Sequence, residues 1–212
     1  MANLNAPSGL SPSCYRSGTS YNGQFRLYYI PSTDTNAYAI GDPVASLTNA
    51  ASANGISAVT LATAGSSAQL RGVLVTAGGA LGSNAAINVA GSGFFDPNAL
   101  GSIVIPATKT QSYFVGICDD PDVLFEVQEW GGASYTALTA ADIGKNINLK
   151  SGANNGYISS WVIDTTAASS TSNTRQLKLM QLVQRRDNAF GQYAKHLVLI
   201  NQHELNPPTS GV

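Results

Sequence analysis

The chain has 212 residues, only 11% of them charged, and its 11 basic and 12 acidic side chains leave a formal net charge of −1. A typical soluble domain carries about 25% charged residues, so Ser, Thr, Asn, Gln, Gly and Ala must cover most of this surface, and such a surface sheds water at low cost. The near-neutral balance excludes a basic face for nucleic acid, Arg185-Arg186 being the one basic pair; two cysteines, Cys14 and Cys118, are too few for a disulfide-stapled module.

The start "MANLNAPSGLSPS" has neither the basic nor the apolar region of a signal peptide. The longest aliphatic run, Leu197 to Ile200, is far below membrane-spanning length, so the chain reads as soluble. Residues 1–20 are rich in Pro, Gly, Ser and Asn and lack apolar periodicity. They are expected to form an extended arm that stays disordered until something ties it down.

A β-rich core is expected over 21–118. "GQFRLYYI" alternates and stops at Pro31, and "TNAYAI" leads into the corner Gly41-Asp42-Pro43, from which "PVASLT" departs. Short segments rich in Val, Ile, Leu or Tyr follow: "ISAVTLATA" (56–64), "LRGVLVTA" (70–77), "AAINVAG" (85–91), "GSIVIPA" (101–107) and "SYFVGIC" (112–118). Turn residues recurring between short strands indicate an all-β sandwich or barrel. Asn-Gly pairs at Asn22, Asn54 and Asn155 suit tight turns with positive φ.

Residues 119–174 read as an inserted lobe or long hairpin region. Within it "ALTAADIGKNI" gives the best helical signal, one or two turns capped by Thr139 and stopped at Gly144. Over 175–212, "RQLKLMQLVQR" and "YAKHLVLINQHEL" read as C-terminal strands returning to the core, with "NPPTSGV" as a tail.

Chemistry is sparse. Asp42, between Gly and Pro, and Asp34, in "STDTN", read as turn residues whose carboxylates accept backbone N–H bonds. Asp119, Asp120, Asp122 and Glu126 form an acidic cluster without the spacing of a calcium loop, so a solvated turn is expected. His196 and His203 have Asp187 and Glu204 as chemical partners within reach of the sequence, but an odd separation along one strand points them to opposite faces. Motifs for phosphate cradles, zinc peptidases and serine hydrolases are missing. The expectation is a protein without catalytic residues, metal or cofactor. Trp130 and Trp161, beside Tyr135 and Tyr157, are expected as core or interface anchors, with sugar stacking as the rival role.

The stretches "NAPSGLSP", "NGQFRLYYIPSTDTNAYAIGDPV", "LRGVLVTAGG" and "LVQRRDNAFGQYAKHLVLINQHEL" resemble the cement or decoration proteins on the capsids of tailed bacteriophages. The resemblance covers about half the chain and rests on turns and strand edges. It implies a β-rich body made in the bacterial cytoplasm and placed on the outer capsid surface, with the major capsid protein and copies of itself as partners. A trimer is favoured over a dimer. In that setting Tyr28, Tyr29, Ile40, Gly41, Asp42, Pro43 and Val44 are expected in the core or a subunit interface. A tail-tube or head-completion protein, or a carbohydrate- or receptor-binding module, are the alternatives.

Overall fold

The computed structural model describes residues 3–51, 55–80, 105–110, 112–152 and 158–212. The strand expected at 85–91, most of that at 101–107, and Asn54, Asn155 and Tyr157 lie outside the described residues. The chain is all-β, as its alternating segments foretell. Its strands are β1 (Ser11–Tyr15), β2 (Arg26–Ile30), β3 (Pro43–Ala51), β4 (Ser57–Leu61), β5 (Gly72–Ala80) and β6 (Tyr113–Cys118), then β7 (Val123–Gln128), β8 (Asn146–Ile147), β9 (Leu149–Lys150), β10 (Val162–Ile163), β11 (Leu177–Leu182) and β12 (Lys195–Ile200). The helical signal collapses to one 3-10 turn, Ala140–Asp142, where the Asp142 carboxylate accepts the Thr139 N–H and hydroxyl at 2.8 Å each.

Five strands close into a barrel in the order β2-β4-β3-β5-β6. The seam between β2 and β4 is parallel, through Tyr29 and Ala58, and β6 returns antiparallel to β2 along all five residues of that strand. Period-2 alternation fills it: Tyr28 and Ile30 of β2 point inward with Val44, Val59, Leu74, Val115 and Ile117. Tyr38 and Ile105, from connecting segments joined by a backbone bridge, plug the same core.

A five-stranded sheet, β1-β7-β12-β11-β8, forms the second layer, and β9 and β10 make a separate ribbon. The chain crosses from barrel to sheet at the turn 119–122, between β6 and β7. The larger core lies between the layers. Val73 and Cys118 from the barrel meet Phe125, Val127, Leu177, Leu179, Val198 and Ile200 from the sheet, with Trp161 and Ile163 beside them. The C-terminal strands therefore hydrogen-bond to β7 and β8 and pack onto the barrel through this shared core.

Amide side chains stitch the layers where apolar contact runs out. The Gln176 carbonyl oxygen accepts the Gly65 and Leu149 N–H groups at 2.9 and 3.2 Å, while its NH2 donates to the Thr63 and Ala68 carbonyls. A buried amide satisfied on both ends costs little and specifies one arrangement. Asn201 likewise holds the tail, its side-chain oxygen accepting the Thr209 N–H at 2.9 Å.

The N-terminal segment departs from expectation. Rather than awaiting a partner, residues 3–15 are tied down within the chain. Asn3 donates to the Ala189 and Gln192 carbonyls at 2.9 Å each, Ala6 N–H donates to Gln128, and Leu10 N–H donates to the Gly41 carbonyl. β1 then pairs antiparallel with β7, with a bulge between Pro12 and Cys14. Leu10 is fully buried, a contribution of about 2 kcal/mol for one leucine. A segment held by backbone bonds and a single apolar plug has no periodicity to read.

Candidate functional site

The corner at Gly41-Asp42-Pro43 is a packing joint. Gly41 has φ +93°, and a Cβ there would strike the Ser8 carbonyl oxygen, so only glycine fits. Asp42 is 2% exposed and its carboxylate accepts the Ala39 N–H at 2.8 Å. Burial raises its pKa, and hydrogen bonds from Ser159 and Ala39 oppose that only in part. Pro43 opens β3 at its first residue, where a missing N–H is tolerated. Tyr28 and Val44 are core residues, and Tyr29 is half-buried with its ring 5.7 Å from Phe114. Ile40 is 37% exposed and bridges to Ile158, itself exposed.

Asp34 is the centre of a denser knot. It accepts from Tyr38 Oη and Thr60 Oγ1 at 2.8 Å, from Asn36 N–H at 2.8 Å, and from Lys109 Nζ at 3.2 Å. The Lys109 side chain is fully buried and also donates to the Asp34 and Asn36 carbonyls, at 2.7 and 2.6 Å. All three ammonium protons are thus used. Burial would raise the Asp34 carboxyl, but these hydrogen bonds outweigh it and hold the group below its ordinary value. Both aspartates serve as turn residues. Lys109, in a Ser/Thr/Lys loop, gave no sequence signal for this role.

The acidic cluster splits in two. Asp120 and Asp122 are exposed, and Asp122 pairs with Arg16 at 2.7 Å. Asp119, expected as solvated, is 5% exposed. It accepts Tyr28 Oη at 2.6 Å and lies 3.6 Å from both Arg26 and Arg71. Arg71 also donates to Tyr28 Oη at 2.7 Å and reaches Glu204 at 3.8 Å. Burial, then the bond to Asp119, pushes the Tyr28 hydroxyl up to about 12. Above this network opens a cleft of about 440 Å³ lined by Gln24, Phe25, Arg26, Asp119, Asp120 and Leu205, among others. Phe25 and Leu205 are 43% and 46% exposed.

The two histidines sit at different places. β12 ends at Ile200, so strand alternation never reaches His203, which lies beside Leu70 and accepts the Leu205 N–H at 3.0 Å. His196 is on the core-facing side of β12 with Val198 and Ile200, and its partner is Glu129 at 3.4 Å rather than Asp187 or Glu204. Both side chains are fully buried. A second oxygen of Glu129 and both ring nitrogens of His196 lack hydrogen-bond partners among the described residues. Among those residues, no three of His, Cys, Asp or Glu cluster as metal ligands would. Burial pushes the Cys118 thiol up to about 11, which keeps it a protonated core group.

The tryptophans part company too. Trp161 is 3% exposed in the interlayer core, which removes it from any sugar-stacking site. Trp130 is half-buried and lines a cleft of about 260 Å³ between the N-terminal segment and the ribbon β9–β10. Comparisons with family models, with curated proteins and with solved structures find no match.

Proposed function

We propose that the protein is a non-enzymatic cement protein of a phage virion, binding the outer capsid surface and linking neighbouring capsomers as a homo-oligomer. The observation that carries the reading is the cleft at Phe25 and Leu205. Two large apolar side chains stand exposed over a charge network already satisfied within the chain, an arrangement suited to being covered rather than to reacting. The sequence likeness quoted above supports it, as does the low-charge surface. An interface of ordinary size buries about 1,200–2,000 Å², and repetition over a shell converts modest contacts into lasting attachment.

Co-sedimentation of the purified chain with stripped capsid shells tests this. Binding is expected to saturate at a fixed ratio to capsid subunits, and Phe25→Asp or Leu205→Asp should weaken it while leaving the folded chain's thermal transition in place. Failure of the unsubstituted chain to bind any shell would sink the proposal.

A further inference from the structure

Beyond the capsid reading and independent of it, we propose that the cleft at Trp130 binds a carboxylate-bearing sugar. Its lining includes Trp130, Tyr193, Lys150, Asn5, Ser151 and Ser160. Lys150 holds its ammonium 4.8 Å from the centre of the Trp130 ring. Among the described residues its ammonium has no carboxylate within ion-pairing distance, whereas Lys109, Lys145 and Lys195 each have one, and Lys178, which also lacks one, donates instead to the Ser210 carbonyl. A half-buried cation poised on an indole and lacking an anion is a site for one.

The aromatic walls are packed against glycines. Tyr193 has φ +64°, a strained conformation for a bulky residue, and its ring lies where a Cβ on Gly131 would fall. Gly132 makes the same allowance for the Trp130 ring. The floor is fixed by Gln128, 2% exposed, which accepts the Ala6 N–H at 2.9 Å and donates to Asn5 at 3.0 Å. The volume falls below the roughly 300–1,000 Å³ of sites for drug-sized ligands, which suits one sugar ring. Among the described residues, aliphatic lining is limited to Pro7 and Val162, and these form no deep apolar hole of the kind that a peptide side chain would fill. Aromatic side chains beside the sugar's C–H groups, neutral hydroxyl and amide groups for its hydroxyls, and one lysine for its carboxylate complete the match.

Saturation-transfer NMR on the full chain, with glucuronate, glucose and acetate as probes, decides the matter. Glucuronate is expected to bind most tightly and glucose more weakly. A charge-assisted hydrogen bond is worth about 1.5–3 kcal/mol, so Lys150→Gln should erase a preference of roughly tenfold or more, and Lys150→Arg should retain much of it. Trp130→Phe should weaken both sugars. Absence of glucuronate binding, acetate binding as tightly as glucuronate, or a preference unchanged in Lys150→Gln would each overturn the proposal. Capsid co-sedimentation of the same variants is expected to be unaffected, so the two proposals stand or fall apart.

Discussion

The barrel and the sheet each bury an acid–base pair, and the two are built differently. In the barrel, Lys109 spends its protons on the Asp34 carboxylate and two carbonyls, Asp34 accepts also from Tyr38, Thr60 and Asn36, and the pair pins three backbone groups. In the sheet, Glu129 and His196 lie 3.4 Å apart with three polar atoms unpartnered among the described residues, and the Glu129 carboxylate accepts the Leu138 N–H at 3.3 Å. The lesson is that burial of an acid–base pair is not one kind of event. The first pair organises a loop, and the second leaves polar capacity idle in an apolar layer.

Single and double substitutions sharpen the contrast. Lys109→Met takes the counter-ion from the buried Asp34 carboxylate, which keeps Tyr38, Thr60 and Asn36 as donors, and leaves two carbonyls without their Lys109 donor. It should cost about 3–5 kcal/mol, the range for breaking a buried pair by removing one partner, read from urea unfolding. Replacing both partners, Lys109→Met with Asp34→Leu, should recover little, because Tyr38, Thr60 and Asn36 lose their acceptor as well. The corresponding exchange of Glu129→Leu with His196→Leu should lie between neutral and about 2 kcal/mol stabilising. Equal losses for the two double variants would erase the distinction.

Proton linkage gives a smaller effect. Burial, and then Arg71, lower the His203 pKa from its ordinary 6.5. The unfolded chain therefore takes this proton more readily than the folded one, so the contribution is whole above pH 6.5 and declines as pH falls below it. His203→Asn should flatten that limb of the stability profile. Asp142 behaves alike at lower pH. Burial would raise it, but bonds from Ser169, Thr139 and Lys145 prevail and lower it to about 2, so its contribution is present above 3.8 and fades toward 2. Asp142→Asn should remove that slope by lowering stability at neutral pH, with little change at pH 2.

Strands β2, β4, β5, β6, β11 and β12 were legible because alternation and bounding turn residues are local signals. The corner at Gly41-Asp42-Pro43 was legible for the same reason. What escaped was everything held by distant amides and charges. Gln176 binds residues more than a hundred positions away, and Glu129 meets a histidine across a strand pair. The Trp130 cleft needs Asn5, Lys150 and Tyr193 from three separate segments, and no spacing in the chain announces their meeting. β1 escaped because its binding energy resides in backbone hydrogen bonds, which leave no mark on side-chain pattern.

The strapping of residues 3–15 also sets an order of events. Ser11 pairs with Glu126, and Asn3 is held by Ala189 and Gln192. Residues 3–15 therefore find these partners only across long stretches of intervening chain. Closing such long loops costs entropy before any contact rewards it. The barrel strands, whose partners are nearer in sequence, can assemble beforehand. β1 then docks on β7 after the two layers have met through their shared core, so closure of this long loop is expected to be the slowest step of folding.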